Sequence, residues 1–453
     1  AGCRQNYDSR FFYRDMLCFF TDMHIKKHLS FSALRKTLSD RLESISDHRQ
    51  AAKVNHSIHD VFMSGFAMMY FQDPSVLQFQ QRLEDEIHKN NLRTLFQVQT
   101  IPKDSQMKDV MDEVDSLELE PVFEEWFGAL QRGKHLEQYR FLGDWHLISF
   151  DGSGYFNSDK ICCSGCLRKE SKSGKVRYEH QIVQAALMHP DMRQVIPLAP
   201  EAVRNTDGFD KQDCETQAGK RLIKKIRKSH PKLKIILVAD SLHSKQPLIE
   251  EAKAAGMRYI LVAKPDDHKI LMEWVNEQRQ LSEVSRLVVK DLKGRQHVYE
   301  WINEVPLNGN KKTILTNYFE YWLINEDKVT YHNSWVTDIP INPDNVGDLV
   351  RGGRCRWKIE NEVFNTLKNQ GYYIEHNYGH GEKNLSMNFF LLNLLAFYMH
   401  QIFELTDNLY QVCRKKFGSK RNLWNHLRAY INIFIFPDWE YFLRFALKPS
   451  EFL

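Results

Sequence analysis

No large charge excess marks this chain: 62 Lys and Arg stand against 58 Asp and Glu, a formal net charge of +4 at pH 7. That excludes binding of nucleic acid through bulk positive charge, so any contact with a polyanion must come from local clustering. Two stretches qualify. One is Lys220, Arg221, Lys224, Lys225, Arg227, Lys228, Lys232 and Lys234; the other is Arg414, Lys415, Lys416, Lys420, Arg421 and Arg428. Each reads equally well as a solvated helix face. There is no internal repeat and no low-complexity tract. The eight cysteines are scattered, which excludes a small disulfide framework and fits free thiols in a reducing compartment. The first residues, Ala1 to Asn6, are polar and lead into no apolar signal run, so a cytoplasmic chain is expected. An unbroken membrane span is missing too. The most apolar stretch, Met387 to Phe403, is interrupted by Asn388, Asn393, His400 and Gln401, which predicts a buried core helix.

What remains is globular: 42% hydrophobic and 26% charged residues over a length of 453, enough for two or three domains. Residues 1–145 carry helical patterning, with Ser30 and Asp104 as expected N-caps ahead of Phe31 to Leu42 and Gln106 to Val114. From residue 146 the period changes. Leu147 to Asp151 alternates and then meets Gly152 and Gly154, which predicts a strand running into a bend or bulge. Strands follow at Val176 to Met188 and Gln194 to Leu198. A helix spans Asp213 to His230, a buried strand Lys234 to Ala239, a helix Gln246 to Ala255 and a strand Tyr259 to Ala263. Three strands, helix, strand, helix, strand describe a mixed sheet covered by helices. Residues 280–350 are a strand-rich insertion, 351–405 turn helical again after Gly352-Gly353, and 406–453 form a C-terminal helical region.

Asp151 closes the first strand and Asp240 ends the central apolar strand in Val-Ala-Asp-Ser, where α/β sheets place functional residues. Carboxylates ending buried strands are costly unless paired or bound to a cation, although either Asp alone also reads as a turn or cap residue. Further on, Arg356-Trp-Lys-Ile-Glu360 puts an Arg and a Glu one helical turn apart, with Lys368 two turns beyond. The bland reading of Arg356 and Glu360 is an exposed ion pair worth a few tenths of a kcal/mol.

Together, Asp151-Gly-Ser-Gly, Val-Ala-Asp240 and Arg356-Trp-Lys-Ile-Glu360 resemble bacterial insertion-sequence transposases of the DDE class, cut-and-paste group, over most of the chain. The gaps fit: 89 residues separate the two Asp, and 120 separate Asp240 from Glu360, with room for the strand-rich insertion. The resemblance implies an α/β fold: an RNase H-like mixed-sheet catalytic core with a β-strand insertion, an all-α N-terminal domain that reads DNA ends, and C-terminal helices. It implies a catalytic triad of Asp151, Asp240 and Glu360 holding two Mg²⁺ or Mn²⁺ ions, with Arg356 and Lys368 on phosphates near the scissile bond. It further implies a homodimer on double-stranded DNA, engaging terminal inverted repeats and target, in a cytoplasmic, nucleoid-associated bacterial protein without membrane attachment. The family's last-helix signature is Tyr, two residues, Arg, three residues, Glu, six residues, Lys. Here Gly353 stands at the Tyr position and Lys368 comes one residue late, which leaves Glu362 as an alternative third carboxylate. Two other functions stay open: a metal-dependent nuclease of the same fold without strand transfer, and an inactive transposase-derived DNA-binding protein.

A second cluster is independent of the triad. Cys163-Ser-Gly-Cys166 has metal-ligand spacing, and the expected topology brings His180 and Cys214 to the same sheet edge. A Cys₃His zinc site from Cys163, Cys166, His180 and Cys214 is the expectation, against simple buried thiols, with Cys162, His189 or Glu215 as substitute ligands. Trp301, Tyr331 and Trp335 could stack on a distorted base, though core or cross-strand packing is the plainer role. The run Glu375 to Gly381 is polar and turn-like and could line the site; as a metal ligand set it is weak.

Overall fold

The computed structural model describes residues 27–50, 52, 54–83, 86–204 and 213–452. Ala1 to Asn6, Cys3 and Cys18 lie outside the described residues. Up to residue 132 the described chain forms helices α1 (Phe31–Glu43), α2 (Ile58–Tyr70), α3 (Val76–Leu83), α4 (Glu86–Phe96), α5 (Asp104–Glu113) and α6 (Glu120–Arg132). Ser30 caps α1 as expected, its hydroxyl accepting from the amide of Ala33 at 3.3 Å. The cap of α5 is one residue earlier than the sequence suggested. Lys103 occupies it, because Gln106 reaches back to accept from the Lys103 amide at 3.3 Å, and Asp104 instead pairs with Lys108 inside the first turn.

The remainder is built on one twelve-stranded mixed sheet among the described residues. Its strands are β1 (Arg140–Phe141), β2 (Trp145–Ser158), β3 (Leu167–Glu170), β4 (Val176–Met188), β5 (Ile196–Pro197), β6 (Glu201–Val203), β7 (Ile235–Ala239), β8 (Arg258–Val262), β9 (Ser285–Lys290), β10 (Gln296–Pro306), β11 (Leu315–Asn325) and β12 (Lys328–Thr337). The order runs β3-β4-β2-β7-β8-β12-β11-β10-β9, with β1 on β2 and both β5 and β6 on β4. β2 is antiparallel to β4 and parallel to β7, and β7 is parallel to β8. Every residue of β7 is buried, as its unbroken aliphatic run requires for a strand covered on both faces. The strand-rich insertion extends this same sheet through the β8–β12 pairing.

Helices α7 (Glu215–Ser229), α8 (Gln246–Ala254) and α9 (Lys269–Gln280) connect the strands. After β12 comes α10 (Val346–Arg354), which begins well before the expected Arg354 and runs through Gly352 and Gly353. The two glycines belong inside the helix because aromatic rings press on its backbone. A Cβ on Gly352 would sit 3.0 Å from Phe141, and one on Gly353 would sit 2.6 Å from the Trp335 indole nitrogen. The side chain of a tyrosine at position 353 has no room beneath Trp335.

A π-helical turn, Ile359–Phe364, then leads into α11 (Asn365–Asn369). The C-terminal helices are α12 (Leu385–Thr406), α13 (Asn408–Phe417), α14 (Lys420–Ile431) and α15 (Trp439–Leu447). α12 is long and apolar enough to cross a membrane, but 83% of its apolar window is buried, and it packs against α2 and α5. The polar residues that interrupt it all have protein partners. Asn388 donates to the carbonyls of Met111 and Val114, Asn393 to that of Tyr372; Gln401 accepts from the Val195 amide, and His400 meets the Tyr372 hydroxyl. One hydrophobic cluster runs from Leu29 through the sheet to Ala446.

Asp112, at the end of α5, joins the helical region to the start of α12. Its carboxylate accepts from the amides of Glu382, Lys383, Asn384 and Leu385 at 2.8 to 3.0 Å. Burial alone would raise its pKa, but the four amide donors together hold it below the usual aspartate value. Asp112→Ala is expected to cost about 2–4 kcal/mol in chemical denaturation, because it strips one charged acceptor from four amides at a helix start. A depressed folded-state pKa contributes stability that is complete above the unfolded pKa and lost as pH falls through the folded one. The gap between wild type and variant should therefore begin to narrow as pH falls below about 4 and close only below the depressed folded-state pKa.

Candidate functional site

The site assembles around the ends of β2 and β7. These strands pair in parallel with Ser149 opposite Val238, so the same register carried on by two residues sets Asp151 beside Asp240. Asp151 lies within β2, which runs seven residues further, and Asp240 is the first residue beyond β7. Asp151 is 16% exposed and Asp240 30% exposed. Burial first, and the charge of Asp240 second, push the Asp151 pKa up to about 6, with Arg356 opposing. Burial also pushes Asp240 upward, but the hydrogen bond and charge of His243, aided by Arg356, bring it below the ordinary value. His243 is fully buried and holds Oδ1 of Asp240 through Nδ1 at 2.9 Å. The Leu242 amide donates to that same oxygen at 3.1 Å.

The third expected acid arrives through an arginine. Nη1 of Arg356 lies 2.7 Å from Glu360 and 3.4 Å from Oδ2 of Asp151, so the guanidinium bridges two carboxylates 209 positions apart in sequence. This is more than the local i,i+4 ion pair that the sequence alone allows. Lys358 ties the segment to the chain just after β4, donating to the carbonyls of His189 and Pro190 at 2.8 and 3.2 Å. Glu362 is half-buried and makes no such bridge to Asp151 among the described contacts. Lys368 pairs with Glu375 at 2.8 Å. Its late position has a structural counterpart: a π turn holds one residue more than the α-turn it replaces, so it absorbs the extra residue between Glu360 and Lys368.

Two side chains of the site were not singled out for it by sequence reasoning. Glu215, the first residue of α7, sits so close to Gly152 that a Cβ there would fall 2.1 Å from its Oε2. Its pKa is raised, by burial first, with Asp240 adding and His243 opposing. His243 lies between the two acids, its Nε2 3.5 Å from Glu215. The available signal was the Asp240-Ser-Leu-His243 spacing, one short turn that sets a ring beside the acid, and the Gly152 that leaves room for a carboxylate.

The expected zinc ligands are only partly brought together. Cys163, Cys166 and His180 converge, but the fourth member is His380, and all four ligand atoms lie within 4.8 Å of one another. Cys214 is exposed at the N-cap of α7 and belongs to no such group. The reason is strand length. The expectation ended the first strand at Asp151, whereas β2 continues to Ser158 and carries the hairpin past the start of α7. His180 pairs with Phe156, roughly 13 Å up the strand from Gly152 at about 3.3 Å per residue. A register shift between Gly154 and Phe156 supplies the expected bulge.

The basic stretches are largely engaged within the fold. Arg221 pairs with Glu201 and Asp213, Lys225 with Glu120 and Glu201, and Arg227 donates to the carbonyls of Ala255 and Leu233. Arg414 and Lys420 share Glu404, and Arg428 donates to Phe71 and Gln72. Trp335 and Trp301 are buried, with Trp335 stacked on Phe319, and Tyr331 lies under the Arg354 guanidinium at 4.4 Å. Core and cross-strand packing is what the two tryptophans do.

Residues 39–127 match the family described as DDE_Tnp_1-associated, a transposase-associated region. No curated protein matches the chain. Among solved structures, the chain is similar to piggyBac transposase in a cryo-EM synaptic complex with hairpin DNA, at 12% identity and a TM-score of 0.40, covering 99% of this chain and 84% of that one. The helical region that precedes the sheet is thus the part of the chain whose likeness is to a transposase-associated family.

Proposed function

We propose that this chain is a DNA transposase of the DDE class, which binds double-stranded transposon ends and cuts and rejoins strands by metal-dependent phosphodiester chemistry. One observation carries the reading: Asp151, within β2, lies beside Asp240 at the end of the adjacent parallel β7, and Arg356 draws Glu360 to Asp151. The strand order supports an RNase H-like core, with β2 central, β4 antiparallel on one side, and β7 and β8 parallel on the other. The family match over residues 39–127 supports a role for the N-terminal helices in holding DNA ends.

The donor set fits hard divalent cations. Carboxylate oxygens are the ligands Mg²⁺ and Mn²⁺ select, and the pKa of Asp151 is raised by burial first and by the charge of Asp240 second, both of which a bound cation would offset. Asp151, Asp240 and Glu360 would hold the ions, with Glu215 as an additional acid nearby. When bound, such ions neutralise charge on the attacking and leaving oxygens and acidify water. The chain's own groups do the rest. His243 fixes Asp240 through Oδ1, Lys358 anchors the helical segment bearing Glu360, and the planar guanidinium of Arg356 suits bidentate contact with a phosphate. Two ends must be joined, so a homodimer on DNA is part of the proposal.

The test is an assay of purified protein with labelled duplexes carrying the element's own ends, a target plasmid and Mg²⁺ or Mn²⁺. End cleavage and joined product, both lost on chelation, are expected. Cleavage without joining identifies a nuclease, and DNA bound but uncut with either metal identifies an inactive DNA-binding protein.

A further inference from the structure

We propose that Cys163, Cys166, His180 and His380 hold one structural Zn²⁺ ion, which clasps the tip of the β2–β4 hairpin to the segment that follows the Glu360 helix. The distances are those of a metal tetrahedron. With Zn–S of about 2.3 Å and Zn–N of about 2.05 Å, the edges should be about 3.8 Å between sulfurs, about 3.6 Å between sulfur and nitrogen, and about 3.3 Å between nitrogens. The sulfurs lie 3.8 Å apart. Nε2 of His180 lies 3.5 and 3.4 Å from them, Nε2 of His380 is 3.3 Å from Cys166, and the two Nε2 atoms are 3.1 Å apart.

The protonation of the rings points the same way. Nδ1 of His380 lies 2.7 Å from the carbonyl of Gly381, which only a protonated Nδ1 satisfies, so Nε2 turns its lone pair toward the other three ligands. Such a backbone carbonyl on the far nitrogen is the usual orienting partner of a zinc-bound histidine. Cys166 and His380 are buried, and the rings of Tyr155 and Phe156 pack on the two histidines. The Cys163 to Cys166 turn is closed by the Cys166 amide donating to the Cys163 carbonyl at 3.2 Å, and the Cys163 amide points at the Cys166 sulfur at 3.5 Å. Binding would release a proton from each thiol, leaving a neutral site with two thiolates and two imidazoles around Zn²⁺.

The clasp has a purpose in the fold. Residues 370–384 contain no helix or strand, a length of irregular chain that needs anchoring. Asp112 holds its far end and the metal would hold its middle, joining residues 214 positions apart at Cys166 and His380. The inference is independent of the transposase reading, since a closed four-ligand site leaves no position for substrate.

Metal analysis of the full-length protein purified without chelator should give one zinc per chain. Cys163→Ser and His380→Ala should lose it, while Cys214→Ser and Cys162→Ser should keep it. A strong chelator should lower the melting temperature of wild type and not of Cys163→Ser. Should the ligand variants fail to fold, cobalt-substituted wild type decides, since two thiolates in a tetrahedral site give intense thiolate-to-cobalt bands. Wild type that takes up neither zinc nor cobalt, a Cys163–Cys166 disulfide that persists in protein purified under reducing conditions, or zinc lost on Cys214→Ser and kept on His380→Ala would each overturn the assignment.

Discussion

Asp151→Asn or Asp240→Asn should reduce end cleavage by roughly a thousandfold or more, about 4 kcal/mol of barrier, with binding to DNA ends retained. Each change removes a charged ligand and keeps the shape of the side chain. The two variants should differ in stability. Asp151 carries a raised pKa because burial and Asp240 disfavour its charge, so an amide there relieves repulsion and should hold or raise the melting temperature. Asp240 is favoured as a carboxylate by His243, so its amide leaves a buried ring less well paired and should lower the melting temperature. Activity lost in both, with stability moving in opposite directions, separates chemistry from folding. Cleavage at wild-type rate in either variant would exclude that residue from the metal-binding set.

How much of this was legible in the sequence depended on whether a signal was local. The β7 run announced a strand buried on both faces, and Asp240 at its end followed from chain order alone. β4 was readable to the residue, since Val176 to Met188 is an uninterrupted strand pattern. The extent of β2 was not, because Gly152 and Gly154 look like a stop, whereas Gly152 is the gap that admits Glu215 and the strand passes through. That misreading of length is what put Cys214 in place of His380. No sequence pattern links His380 to a cysteine pair 214 positions away; only the long hairpin meeting the loop before α12 does so. Likewise Gly352 and Gly353 read as a break before a helix, yet they lie inside one because Phe141 and Trp335 come from distant strands to press on it.

The π turn that follows α10 poses the sharpest question about the triad, and a pair of variants answers it. Glu360→Gln is expected to lower cleavage by roughly a hundredfold or more, while Glu362→Gln should stay within about twofold of wild type. Residues two apart on a helix point to nearly opposite sides, so only one of the two can face Asp151. Glu360 is the one that Arg356 ties to Asp151, at 2.7 and 3.4 Å. Glu360 is 51% exposed and paired at i,i+4, an arrangement worth only a few tenths of a kcal/mol, so the variant should melt where wild type does. A large loss of cleavage at unchanged stability therefore cannot come from unfolding. The reverse pattern, with Glu362→Gln inactive and Glu360→Gln active, would make Glu362 the third acid and overturn the assignment of Glu360.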